Sequence, residues 1–404
     1  MNITIITSTF PYPLTSGGAQ AQYNFIDTLR RQHSISIIFP VNNKNKMEAL
    51  QHLQAAWPEV TFHPYSYKRQ LCHGPFLKDK IVRALKLRVC PKSERFLAER
   101  ALKPYGFYFT KDFQSFVDDV IKEHHTDLIQ VDFYPYLHIV NYLPANIKKL
   151  FVQHEIRYVR NKRLLSSVSL TDSEKQYYEE IKKTEIDDIN LYDQVIALTE
   201  TDKEEMEQDG VTTPIAVSPA AVNSPILPFQ QWNGKLTFVG GYSHIPNQEG
   251  MDWFIEKVLP LIDLEKIKAI DVVGSGWPEH YNSIHPKLHF LGFVDSLKDA
   301  ICGSLLIVPI LTGSGMRMKI LDAAAMGVPF ITTSVGVEGL DFLHNDSCII
   351  ANNPEDIANA INKLIADNTK MKALADNAQE IFKKKYSVEA LSEIRNNIYK
   401  KLAN

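Results

Sequence analysis

The sequence predicts an α/β protein of two domains, each built on a sheet of parallel strands, and three observations predict it. The chain has 404 residues, too long for one ordinary domain and suited to two of about 200. Apolar, β-branched runs of strand length alternate with amphipathic helical stretches, the rhythm of βαβ units. The rhythm then breaks between Thr212 and Gly234, where Pro214, Pro219, Pro225 and Pro228 fall among few charges, as in an interdomain linker. The boundary is placed near Pro225, giving domains 1–224 and 225–404.

Composition narrows the class. Apolar residues make up 45% of the chain and charged ones 23%, the balance of a soluble globular protein. A net charge of −3 supplies no global field to recruit nucleic acid. Cys72, Cys90, Cys302 and Cys348 are scattered without metal-binding spacing, and read as free thiols of a reducing compartment. No apolar run reaches the roughly 18 residues of a membrane span, and NITIITSTF leads into a loop rather than a cleavage site. A cytoplasmic location is expected.

In the first domain, Asn2 to Thr9 reads as a buried strand, followed by a long turn holding Ser16-Gly17-Gly18-Ala19-Gln20. A helix with Phe25, Ile26 and Leu29 on one face and the strand Ser34 to Phe39 complete a βαβ unit. Its glycine pair lies at the carboxyl end of the first strand, where open α/β sheets bind ligands, or is a plain turn. From Lys68 to Lys111, twelve Lys or Arg face three acids. DKIVRALKLRV within it makes a basic amphipathic stripe that can contact anionic lipid or pack on its own domain. Asp112 to Glu123 is helical, and Leu128 to Phe133 is a strand with Asp132 near its end. A further strand, Leu150 to Gln153, runs into His154, which at that place points toward the ligand edge, while a core histidine is expected mid-strand. Arg157, Arg160, Lys162 and Arg163 are read as a solvated helix face or an acceptor-phosphate contact. A charged helix from Ser173 to Leu191, a strand from Gln194 to Leu198 and a helix capped by Thr199 lead to the linker.

The second domain restarts with the strand Lys235 to Val239, ending in Gly240-Gly241, and an amphipathic helix from Asn247 to Ile262. Strands at Ile267 to Val273 and His289 to Val294 follow. Gly274 and Gly276 lack the third glycine of a dinucleotide fingerprint, which argues against NAD. The central stretch is LLIVPILTGSGMRMKILDAAAMGVPFITTSVGVEGL, from Leu305 to Leu340. It reads as a strand, the turn Thr312-Gly313-Ser314-Gly315, a helix to Gly327 and a second strand from Phe330. Glycines allow close approach to a ligand, and the unpaired N–H groups of a helix start attract anions. Arg317 and Lys319 add cations in the first turn, where the helix dipole favours acids, so a bound anion would offset their placement. Asp322 lies two turns below Gly315, about 10 Å along the axis. One elongated ligand, such as a nucleotide diphosphate, would span both; the alternative is a corner made by glycines with solvated cations beside it. After Ser347 to Ala351 the chain is helical to its end, over Pro354 to Ala366, Lys370 to Lys385 and Val388 to Leu402.

The stretch from Phe238 to Leu340, and more weakly most of the chain, resembles the retaining glycosyltransferases of family 4. That resemblance implies the GT-B fold, two facing Rossmann-like domains with a cleft between them, the last helix crossing back to the first domain. It also implies a nucleotide-sugar donor held by Gly17, Gly18, Gly240, Gly241, Gly313, Ser314, Gly315, Met316 and Asp322. In the family, two acids eight apart contact the transferred sugar and the ribose; here the second is Asp322 and the first position is Ser314, a departure at the sugar contact. His154 matches the family's histidine at the transferred sugar, and Asp132 and Arg157 fall on the acceptor side.

The expected function is transfer of a sugar from a nucleotide-diphosphate donor to a glycan, lipid-linked or protein acceptor, with retention. Arg317, Lys319 and the N–H groups after Gly315 would stabilise the departing diphosphate. No Asp-x-Asp pair occurs, so no metal and no other cofactor is expected. Two alternatives are a nucleotide-sugar epimerase on the same architecture and a non-catalytic, glycosyltransferase-like partner subunit.

Overall fold

The structure is a computed structural model and describes residues 1–14, 17–41, 44–66, 98–99, 101–102, 109–166, 168–220, 222–313 and 316–403. The chain divides into two compact units, one of Met1–Pro13, Ile26–Val217 and Asn397–Asn404, the other of Leu14–Phe25 and Ser218–Asn396.

The first unit holds β1 (Asn2–Thr7), β2 (Ser34–Pro40), β3 (Thr61–Tyr65), β4 (Leu128–Asp132), β5 (Lys148–Gln153), β6 (Gln194–Ala197) and β7 (Ile215–Val217). They form one sheet in the order β3-β2-β1-β4-β5-β6-β7, every pair parallel. Strands β1, β4, β5 and β6 are buried along nearly their whole length, which is why they read as continuous apolar runs. Helices α1 (Gly17–Leu29), whose residues 17–25 belong to the second unit, α2 (Lys44–Ala56), α3 (Lys111–Glu123), α4 (Arg157–Leu165), α5 (Asp172–Ile189) and α6 (Glu200–Gln208) connect them. Helix α5 starts in a capping box, Thr171 and Glu174 each satisfying the other's backbone N–H.

The second unit holds β8 (Lys235–Val239), β9 (Ala269–Val273), β10 (Leu288–Gly292), β11 (Leu305–Val308), β12 (Phe330–Thr332) and β13 (Ile349–Ile350). Their order is β10-β9-β8-β11-β12-β13, again all parallel. The order reverses between β8 and β11, and it is outside the carboxyl ends of strands at such a reversal that open α/β sheets bind ligands. Helices α7 (Ile245–Trp253), α8 (Leu297–Ile301), α9 (Met318–Ala325), α10 (Pro354–Leu364), α11 (Asn368–Lys385) and α12 (Val388–Ala403), the last with residues 397–403 in the first unit, complete it.

Four expectations change. Gly17 and Gly18 are not a loop but the first residues of α1, and neither has a positive φ; a Gly-Gly pair signals a turn in sequence, yet a helix start tolerates it. The helix expected over 247–262 is α7 followed by a π turn at Phe254–Val258 and a 3-10 turn at Leu259–Leu261, since Pro260 has no N–H to extend an α-helix. Residues Ile215–Val217, inside the expected linker, instead pair with β6 as strand β7. Arg157 and Arg160 are not on a solvated face. Arg157 is buried 3.6 Å from Glu185, and Arg160 pairs with Glu155.

Most of the basic stretch 68–111, with its lipid-facing reading, lies outside the described residues, as do Cys72 and Cys90. Of its described part, Ala98, Ala101 and Leu102 pack against Leu165 and Tyr178 of the first unit. Among the described residues no helix is long and apolar enough to cross a membrane.

Candidate functional site

The site grows from β8, β11 and the helix start after β11. Strand β8 ends at Gly240-Gly241, whose backbone is pinned to the neighbouring turn: Gly240 N donates to Val273 O at 2.7 Å and Tyr242 N to Ser275 O at 3.0 Å. The two turns touch so closely that a Cβ on Gly274, at φ +144°, would lie 2.4 Å from Gly240 C. Glycine is required there by contact rather than by a phosphate. Trp277 Nε1 caps the arrangement by donating to Gly240 O at 2.9 Å.

Helix α7 locks onto the exit of β11. A Cβ on Gly250 would be 2.3 Å from Pro309 O, so only glycine lets the helix approach. Asn247, on the first turn of α7, donates to Gly241 O at 2.9 Å and accepts from Lys319 Nζ at 2.8 Å. This one buried amide joins the turn after β8 to the helix after β11. Gly313 has φ +107°, the left-handed region that favours glycine, and a Cβ there would meet Pro246 Cγ at 3.2 Å and Arg317 Nη2 at 3.6 Å. Ser314 and Gly315 lie outside the described residues.

Helix α9 carries the charged groups. Seven of its eight residues are buried, and the run Ala323-Ala324-Ala325 is small enough to pack that closely. It ends in a Schellman motif: Val328 N donates to Ala323 O at 2.9 Å and Gly327 N to Ala324 O at 3.4 Å, with Gly327 at φ +63°. At the other end Arg317 is the N-cap residue and donates from Nη2 to Val335 O at 3.4 Å. Met316 Sδ accepts from Ala220 N at 3.1 Å. Lys319 Nζ lies 4.4 Å from the Phe238 ring centroid. Burial, and then the Arg317 charge, push the Lys319 ammonium down to about 7.

Asp322 is buried, and its Oδ1 accepts from Ser224 Oγ at 2.5 Å and Gln20 Nε2 at 3.3 Å. Burial lifts its carboxyl to about 6, against the lowering effect of those two hydrogen bonds. Gln20 comes from α1, and a Cβ on Gly17 would lie 3.3 Å from Met318 Cγ. The structure thus gathers Gly17, Gly240, Gly241, Gly313, Met316, Arg317, Lys319 and Asp322 into the second unit, with Gly18 in the same segment. Asn247, Gln20, Ser224 and Trp277 join them without any signal in the local sequence.

His154, Asp132 and Arg157 belong to the first unit. His154 follows β5 and stacks on Phe133, ring centroids 4.0 Å apart; Phe133, just past β4, holds the rare φ of +69°. Asp132 is buried and accepts from Gln130 Nε2 at 2.9 Å. Arg157 faces Glu185, whose carboxyl burial lifts to about 7 against the pull of that guanidinium. Among the described residues no three His, Cys, Asp or Glu side chains are grouped to hold a metal ion.

Residues 233–367 match the family model described as Glycosyl transferases group 1. That stretch, which lies in the second unit, is similar to the group 1 glycosyl transferases. Two curated relatives agree in part: a 44.6 kDa protein of the Klebsiella pneumoniae cps region, 26% identical over 170 residues, and an uncharacterized glycosyltransferase of Methanocaldococcus jannaschii, 25% identical over 176. The matches cover 39% and 41% of this chain and 44% of the length of each relative. The Anabaena protein HepE, solved in complex with UDP, superposes with a TM-score of 0.69 at 13% identity, over 100% of both chains. The chain therefore has the GT-B fold, two Rossmann-like domains with parallel sheets.

Proposed function

We propose that this protein transfers a sugar from a nucleotide-diphosphate donor held by its second unit to a glycan, lipid-linked or protein acceptor, with retention of anomeric configuration. The observation that carries the reading is the pairing of Arg317 and Lys319 at the start of α9, at the carboxyl end of β11 where the strand order reverses. A departing diphosphate gains negative charge, and preorganised cations in a site of low dielectric are the groups that stabilise it. Lys319, pushed to about 7, is held partly neutral without a ligand and takes up a proton when an anion arrives. Asp322 is assigned to the ribose hydroxyls, since its Oδ1 is occupied by Ser224 and Gln20 while no hydrogen bond to Oδ2 occurs among the described residues. UDP bound to HepE makes a uridine donor the first to try. His154 is assigned to the transferred sugar.

The test is turnover of a panel of nucleotide-sugars with and without acceptors, read as released nucleoside diphosphate. Release that depends on an acceptor supports the proposal. Sugar interconversion without release would mean an epimerase, and binding without turnover in any combination a non-catalytic subunit.

A further inference from the structure

Glu249 lies on α7, outside the stretch from Leu305 to Leu340 that carries the charged groups of the site. Its helix face is fixed by contact. Residues three and four apart share a helical face, so Pro246, Glu249 and Gly250 point together at the chain leaving β11. Pro246 closes on Gly313 and Gly250 on Pro309, at the 3.2 Å and 2.3 Å that Cβ atoms there would show. Between them Thr312 Oγ1 donates to Glu249 Oε2 at 2.5 Å, and neither residue is fully buried. Among the described residues this is the one hydrogen bond of the Glu249 carboxylate, and it engages one oxygen. An ionised carboxylate can accept about four hydrogen bonds.

The surroundings decide what the other oxygen takes. Arg317 Nη2 reaches the next residue, 3.6 Å from where a Cβ on Gly313 would lie, and Lys319 is tied to Asn247 on the same helix turn as Pro246. The chain leaving β11 therefore has two cations and one carboxylate close to it. A phosphate placed against Glu249 would meet like charge; a neutral polyol would find an acceptor held in place by Thr312 and the α7 packing. We infer that Glu249 accepts a hydroxyl of the donor's sugar and sets which sugar the site takes. The inference rests on the nucleotide-sugar reading. A site built to hydrogen-bond a hydroxyl discriminates strongly against analogues that lack or invert it, because its own polar group is then left unpaired.

Calorimetric titration of wild type, Glu249→Gln and Glu249→Ala with UDP and with a panel of UDP-sugars tests this. Glu249→Gln is isosteric and keeps an acceptor for Thr312, which guards against a folding defect. The expected result is UDP affinity within about twofold of wild type in both variants, with affinity for the preferred UDP-sugar lowered about tenfold or more and the preference among sugars flattened. An unchanged sugar preference, or equal losses for UDP and UDP-sugar, would overturn the inference while leaving the donor reading intact. Failure of the wild type to bind UDP, any other nucleoside diphosphate or any nucleotide-sugar would overturn both.

Discussion

Replacing Asp322 by Asn should make the protein more stable at neutral pH and a poorer nucleotide binder at once. Burial lifts this carboxyl from an ordinary 3.8 to about 6. The folded state therefore holds the proton more tightly than the unfolded one. Between those two values stability falls as pH rises, above about 6 the cost is constant, and below 3.8 it vanishes. At about 1.4 kcal/mol per tenfold change in acidity, ionised Asp322 costs the fold about 3 kcal/mol at neutral pH. The linkage relation makes the cost about 1–2 kcal/mol at pH 5 and about 3 at pH 7.5. Asn keeps the size of Asp and an oxygen for Ser224 and Gln20, but it has no charge to bury. Urea unfolding at the two pH values should show the variant gaining about 1–2 kcal/mol on wild type between pH 5 and 7.5. Nucleotide affinity should meanwhile fall by about tenfold to a hundredfold, the worth of a hydrogen bond to a charged group. A stability difference that is the same at both pH values would refute the assignment of a strained, buried carboxylate. Unchanged affinity for nucleoside diphosphates would refute its ribose role.

Lys319 titrates in the opposite sense. Its folded value of about 7 lies below the ordinary 10.5, so an arriving diphosphate should draw in a proton at pH 8; calorimetry in buffers of different ionisation enthalpy should show this uptake in wild type and not in Lys319→Ala. His154→Ala should reduce transfer at least tenfold more than it weakens binding of the bare nucleoside diphosphate, because the residues proposed to bind the phosphates lie in the other unit; equal losses would place the nucleotide on the first unit. Gly250→Ala should destabilise the second unit by about 1–3 kcal/mol through overpacking against Pro309, and an unchanged melting temperature would mean that α7 is not held as described.

The elements that could be read from the sequence are those with a local cause. Strand β8 spans Lys235–Val239 as its alternation of buried residues indicates, and α6 begins at the Thr199 cap. Helix α2 and strand β3 gave no such signal: α2 lacks a strong apolar stripe, and β3, at the edge of its sheet, carries Pro64. The site divides in the same way. Arg317, Lys319 and Asp322 stand within one linear motif. The partners that define their chemistry do not, since Gln20 reaches Asp322 across 302 residues and Asn247 reaches Lys319 across 72. Arg157 shows the limit from the other side, because nothing in its basic run tells that Glu185, on the following helix, will bury it.

The central claim is that the second unit holds a nucleoside diphosphate at the start of α9. Its most direct measurement is titration of wild type and Arg317→Ala with a panel of nucleoside diphosphates, UDP first. The account predicts saturable binding to wild type, weakened by about ten- to a hundredfold in the variant as one charge-assisted contact is lost. Equal affinity in the two proteins, or no binding of any nucleoside diphosphate to wild type, would contradict it.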